Sequence, residues 1–290
     1  MPRLLRSPWE DCFDQLVSRA RGSLILCSPF IGNGPCRKVQ HRSRDWTANF
    51  ELVLVTDLSR DNMLSGVTDV KAIASVVHSF PATQVRFLPS LHAKVYIADD
   101  TEAVVTSANM TYGGLVRNFE YGVHFAERQT VRLIRQDVLD YIALASPIDI
   151  RQLETFVQIT LELREMHKAA EKSLRGRLRR EFDKKLWQAD DRIIGVRAAG
   201  RTPHAIFAEA IRHLLRFGPA STQVLHRGIQ NIHPDLCDDA VDRIVDGKHF
   251  GKKWKHAVRT AQQHLKKRGE IRLVNSRWRL ADDHSPRSES

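Results

Sequence analysis

The chain has 290 residues, 42% of them hydrophobic, so a core of domain size is within reach and global disorder is excluded. A formal net charge of +11 and a pI near 9.8 favour a polyanionic partner, nucleic acid or an anionic surface. No apolar run approaches the roughly 18 residues of a membrane span, and the start MPRLLRSPWEDCFDQL lacks a signal-peptide core; a cytoplasmic protein without a membrane partner is expected.

Residues 1–147 alternate short β-rich runs with helical patterns, which argues for an α/β layer architecture. Ser23–Cys27 reads as a buried strand, and Gly32–Asp45, rich in glycine and basic residues, as a loop. Phe50–Thr56 is a strand, Val67–His78 has helical apolar spacing, and Val85–Leu88 is a short strand. Ala93–Ala98 and Ala103–Thr106 read as strands joined by Asp99-Asp100-Thr101; Phe119–Ala126 is a further strand and Arg128–Leu144 a helix. Residues 148–200 form a charged, helix-rich stretch, either a solvated linker or a subunit-pairing segment.

Residues 201–282 form a second unit. Ala205–Arg216 is an amphipathic helix, Ser221 caps the next helix to about Ile232, and Pro234 is expected to start a third. Lys252–Arg268 is a strongly basic helix, followed by a hairpin around Asn275-Ser276, a winged helix-turn-helix-like order. Residues 283–290 are expected to be a disordered tail. Charge concentrates here: residues 201–290 hold 17 Lys/Arg against 10 Asp/Glu, whereas residues 1–147 hold 16 against 15. Cys12, Cys27, Cys36 and Cys237 show no C-x-x-C spacing and read as free thiols; the histidines show no zinc spacing, so neither metal nor other cofactor is expected.

The chemistry concentrates in LHAKVYIADDTEAVVTSANMTYGGLVRNFEYG, residues 91–122. His92 and Lys94 are two apart on an expected strand and share a face; Ser107 and Asn109 repeat that spacing at the end of the next strand. On adjacent strands they bring an imidazole, an ammonium, a hydroxyl and an amide to one point. Imidazole supplies a nucleophile or general acid near neutral pH, and lysine neutralises phosphate charge. Ser and Asn donate hydrogen bonds where negative charge develops. Glu120, on the following strand, can orient an imidazole and stabilise its cation.

This segment resembles the H-x-K-x4-D-x6-G-S-x-N signature of the phospholipase D superfamily. His92, Lys94, Asp99, Ser107 and Asn109 fall at its spacing, Asn118-Phe119-Glu120 matches the N-x-E run of the bacterial nucleases, and Thr106 replaces the consensus glycine. The resemblance implies a phospholipase D-like mixed sheet flanked by helices, over residues 1–147. It implies a metal-independent reaction in which one histidine attacks phosphorus and a second protonates the leaving oxygen. His41, His78 and His124 lack a lysine two residues on, so the second histidine is expected from a second copy in a homodimer. Asp99, in a turn, reads as a structural turn-former or ion-pair partner.

The substrate is read from the C-terminal third. Lys252, Lys253, Lys255, Arg259, Lys266 and Lys267 can neutralise phosphates; Gln262, Gln263 and His264 can reach base edges; and Arg277, with Arg272 and Arg279, can contact the backbone or the minor groove. Trp254 and Trp278 read as core aromatics. The layout is similar to restriction endonucleases of the superfamily, which implies DNA as partner and a restriction or anti-phage role with defence-system partner proteins. A lipid or RNA phosphodiesterase, and a DNA-binding regulator with a degenerate catalytic fold, remain the alternatives.

Overall fold

In the computed structural model, residues 2–171, 176–198, 201–245 and 248–281 are described. The chain divides into two compact units, Met1–Arg197 and Ala198–Ser290. In the first, the elements in chain order are β1 (Arg3–Arg6), α1 (Glu10–Arg19), β2 (Ser23–Cys27), α2 (Asn33–Ser43), β3 (Glu51–Thr56), α3 (Arg60–Ser65), α4 (Val70–Ser79), β4 (Gln84–Phe87), β5 (Val95–Ala98), β6 (Glu102–Thr106), β7 (Tyr121–Phe125), α5 (Arg128–Leu144), β8 (Ser146–Ile148), α6 (Ile150–Glu171) and α7 (Gly176–Ala198).

The strands form one mixed eight-stranded sheet in the order β1-β7-β6-β5-β2-β3-β4-β8. Its middle, β2-β3-β4, is parallel, and β5, β6, β7 and β1 continue it antiparallel. The apolar runs of β2 and β3 have this cause: a central strand covered on both faces buries every side chain. Leu24, Leu26, Leu52, Leu54, Tyr96 and Val104 share a core with α1, α2, α4 and α6, while α5 packs on β5 and β6 with Val131 and Val138 buried. Trp9, Phe13 and Tyr96 meet edge-on or tilted at 5.4–6.1 Å between ring centres.

Three expectations are corrected. Residues 33–43 are helix α2, not loop: Cys36, Val39 and Ser43 form a narrow buried stripe and Pro35 sits in the first turn, where its missing N–H costs nothing. The stripe escapes a periodicity reading because charged residues surround it. Residues 148–198 are not a free linker: α6 packs on α3 and α4, and Leu153, Phe156, Ile159, Leu163, Ala189 and Ile193 join the core of the first unit. His92 and Lys94 lie just before β5 rather than on it, and Glu120 just before β7.

In the second unit, α8 (Pro203–Arg216), α9 (Thr222–Ile232), β9 (Asp242–Val245), β10 (Lys248–Lys252), α10 (Lys253–Lys267), β11 (Ile271–Val274) and β12 (Arg277–Leu280) follow one another. Ile206, Phe207, Ile211, Leu225, Ile229, Val258, Leu265 and Trp278 are buried. Ser221 accepts from the Val224 N–H at the start of α9, and the Trp278 indole donates to Thr222. The helix expected from Pro234 is a single 3-10 turn, Pro234–Leu236, followed by the β9–β10 pair. Asp238 accepts from the Ala240 backbone, offering the chain an alternative to a helix, and β-branched Val241, Ile244 and Val245 favour extended structure. The tail call on residues 283–290 lies outside the described residues.

Candidate active site

Antiparallel order builds the site. Because β5, β6 and β7 run alternately, the start of β5, the end of β6 and the start of β7 share one end of the sheet. His92, Lys94, Ser107, Asn109 and Glu120 all fall at that end.

Lys94 is the buried charge of the group, 7% exposed, beside an exposed His92. Its Nζ lies 3.1 Å from Nδ1 and 3.2 Å from Nε2 of His92 and donates to the His92 carbonyl at 2.7 Å. Burial pushes the Lys94 ammonium below the ordinary lysine range, while the negative charge of Glu120 pulls the other way. Cys27 is pushed up to about 12 by burial and is a neutral thiol.

The Ser107 hydroxyl donates to Glu120 Oε2 at 2.5 Å and accepts from the Tyr121 N–H at 3.1 Å. The Asn118 amide donates to Glu120 Oε1 at 3.3 Å, so both carboxylate oxygens are held. Ser7, from the other end of the chain segment, accepts from the Glu120 N–H through its hydroxyl at 2.8 Å and donates its own N–H to the Glu120 carbonyl at 3.3 Å.

The Asn109 turn is fixed from below. Tyr96 donates to the Ala108 carbonyl at 2.8 Å, and the Met110 N–H donates to Ser28 Oγ at 3.0 Å. Asn109 Oδ1 is buried with no hydrogen-bond partner among the described residues. A buried polar atom left in this way is costly and marks a place where a ligand or water completes the set. Gly114 is required beside it: a Cβ there would lie 2.2 Å from the Asn109 carbonyl oxygen and 2.8 Å from its nitrogen.

Thr106, where the family signature has glycine, is accommodated by Gly122 on the neighbouring strand. A Cβ at Gly122 would come 2.7 Å from Thr106 Cβ, so the small residue has moved across the pair. Thr106 Oγ1 donates to the Tyr121 carbonyl at 3.1 Å and accepts from the Ala108 N–H at 3.2 Å.

Asp99 lies apart, at the far end of β5. Its carboxylate accepts the N–H groups of Arg21, Gly22 and Ser23 at 2.9, 2.8 and 2.7 Å, from a left-handed backbone position at φ 52°. Sequence reading missed Ser7, Gly114 and Gly122 as parts of the site. Ser7 stands 113 residues from Glu120, and no local pattern reports such a bond. Among the described residues, no group of three or more His, Cys, Asp and Glu could hold a metal ion.

The family model described as "Cardiolipin synthase, PLD-like domain" matches residues 14–141, which contain the whole cluster except Ser7. Residues 14–141 thus match a phospholipase D-like domain. Among solved structures, the phospholipase D family member Nuc from Salmonella typhimurium is similar at 15% identity, over 51% of this chain and 98% of that one, with a TM-score of 0.44. NucT from Helicobacter pylori is similar at 17% identity, over 50% and 97%, with a TM-score of 0.41. Phosphatidylserine synthase from Haemophilus influenzae is similar at 11% identity, over 49% and 36%, with a TM-score of 0.42. No curated protein matches the chain significantly.

Of the residues expected to read DNA, Lys253, Arg259, Gln263, His264, Lys266 and Lys267 are exposed on α10, and Arg277 is exposed on the hairpin. Lys255 sits 5.3 Å from the centre of the Trp254 ring. Lys252 is engaged by Asp242 at 2.8 Å, which holds its ammonium above the ordinary lysine value. Gln262 is corrected: it is 2% exposed, with its amide nitrogen 3.5 Å from Thr222 Oγ1, because it lies on the buried stripe with Val258, Ala261 and Leu265. It packs the unit.

Proposed function

We propose that the protein is a metal-independent endonuclease that hydrolyses DNA through a covalent phosphohistidine. The observation that carries this reading is a single histidine in a cluster otherwise equipped for phosphoryl transfer. Lys94 neutralises the phosphate, Asn109 donates to its oxygens through its amide nitrogen, and the Ser107–Glu120 pair supplies a fixed negative charge that acts on the Lys94 ammonium. A His92 ring nitrogen attacks phosphorus; the P–N bond forms as the bond to the leaving oxygen breaks. That oxygen needs a proton, and no second histidine of the cluster supplies it. The second copy's His92 gives the proton in a homodimeric site, then takes one from the water that cleaves the P–N bond, returning both histidines to their starting state.

DNA is favoured as substrate by the charge of residues 201–290 and by the exposed basic face of α10, whose helix-then-hairpin order suits a winged-helix-like DNA-binding unit. A cytoplasmic role in restriction or anti-phage defence is consistent with such a division of labour. The experiment is DNA cleavage in excess EDTA by wild type and His92→Ala, with acid-quenched 32P-labelled substrate to trap the phosphoenzyme. EDTA-resistant cutting and a trapped adduct, both lost in the variant, are expected. Cutting that EDTA abolishes would sink the reading.

A further inference from the structure

The turn that links Asn109 to Glu120 carries aromatic rings in solvent. Tyr112 is 63% exposed and Phe119 fully exposed, and Tyr121, beside Glu120, is 49% exposed, whereas Trp9, Phe13, Phe50, Phe87 and Tyr96 are buried. The Asn118 N–H donates to the Gly113 carbonyl at 2.8 Å and closes the π-helical turn Gly113–Arg117. Tyr112 and Phe119 therefore leave the chain at the two sides of one narrow neck. Phe119 is also the immediate neighbour of Glu120, and Tyr112 stands three residues after Asn109.

The turn is not loose. The Trp9 N–H donates to the Leu115 carbonyl and the Trp9 indole to the Gly114 carbonyl, each at 3.0 Å, and Leu115 is buried. The rings are thus presented from a fixed base. Arg117 is exposed on the same turn and adds a positive charge.

We infer that Tyr112, Phe119 and Arg117 form a stacking platform for unpaired bases, so that the substrate strand reaches His92 single-stranded. The inference rests on the phosphodiesterase reading above and names the form of its substrate. Aromatic faces stack on any unpaired base, and a guanidinium adds cation–π and phosphate contacts. A duplex keeps its base faces covered by their neighbours and gives such rings nothing to stack on. A second copy is the competing occupant. A two-fold contact centred on this turn would set Arg117 against its own copy, a like-charge pairing, whereas a polyanion complements it.

The test compares kcat/KM on a short single-stranded oligodeoxynucleotide with that on methyl p-nitrophenyl phosphate, a diester too small to span both His92 and the platform. It uses the full chain as wild type, Phe119→Ala and Phe119→Trp. Phe119→Ala is expected to lower the ratio of the two by about 5- to 150-fold, the range for loss of one stacked base, and Phe119→Trp to restore it. An unchanged ratio overturns the platform while leaving the phosphodiesterase reading intact. A Phe119→Ala protein that sediments as a monomer where wild type is a dimer also overturns it, by assigning the ring to a subunit contact. Wild type that hydrolyses neither compound overturns both readings together.

Discussion

Gly114→Ala is the sharpest single perturbation of the site. The added methyl would lie 2.2 Å from the Asn109 carbonyl oxygen, about 1.2 Å inside the 3.4 Å at which ordinary contact begins. Both colliding groups are backbone, so no side chain can swing away. The Gly114 carbonyl is also tied to the Trp9 indole at 3.0 Å, which resists a retreat on that side. The Asn109 turn must then move by about an ångström. Strain of this kind costs about 1–3 kcal/mol of stability, roughly 2–12 °C in the melting temperature of the first unit. The same displacement costs on the order of 100-fold in rate when it moves a group that contacts the reacting centre. The assay is kcat/KM on a phosphodiester, measured well below the melting transition, beside a thermal melt. The expected result is a folded, modestly destabilised protein with a large loss of activity. Activity within a few-fold of wild type would refute the argument that the Asn109 turn is held in place by its contact with Gly114.

Asp99→Ala separates structure from chemistry: the three N–H groups of Arg21, Gly22 and Ser23 lose a charged acceptor, a loss of about 2–5 kcal/mol in a urea melt. Because Asp99 stands at the far end of β5, kcat/KM at low temperature should hold, and a collapse of kcat in a fully folded variant would contradict this placement. Lys94→Met tests the buried ammonium. Burial holds the folded-state pKa below the unfolded value, so the unfolded chain binds more protons between the two, and wild-type stability rises as pH climbs through that window. The variant lacks this slope; it should be the more stable protein at neutral pH, with the difference shrinking above the folded pKa, and inactive throughout. Lower stability than wild type at pH 7 would show that the bond to the His92 carbonyl outweighs burial. Arg259→Ala should weaken DNA binding across sequences and reduce the salt slope by about 1, whereas Gln262→Ala should show its effect in the melting temperature.

The fold was legible wherever burial leaves a period in the sequence. The runs of β2 and β3 and the spacing of α4 announce themselves because whole strands, or a broad helical face, are covered. α2 hides because its buried stripe is only Pro35, Cys36, Val39 and Ser43 amid arginines. α6 reads as polar because it buries one narrow row, Leu153, Phe156, Ile159 and Leu163, against α3 and α4. No local count distinguishes that row from a solvated helix; the covering partner decides it, and the partner is some 90 residues away.

The site divides along the same line. Its reactive groups lie in two strand–turn segments, so spacing alone brings His92 to Lys94 and Ser107 to Asn109, and the antiparallel pairing of β5 and β6 joins the two pairs. What holds them is not local. Glu120 is fixed by Ser7 in the first ten residues, the Asn109 turn by Gly114 and Ser28, and Thr106 finds room only because its cross-strand neighbour is Gly122. Each of these supports is a serine or glycine, residue types too common to draw notice, and each acts through one or two short contacts. On the proposed phosphohistidine reading the consequence is an order of sensitivity: changes at the supports should shift kcat through geometry and be graded, whereas His92 substitutions would remove the reacting atom and could not be compensated by packing.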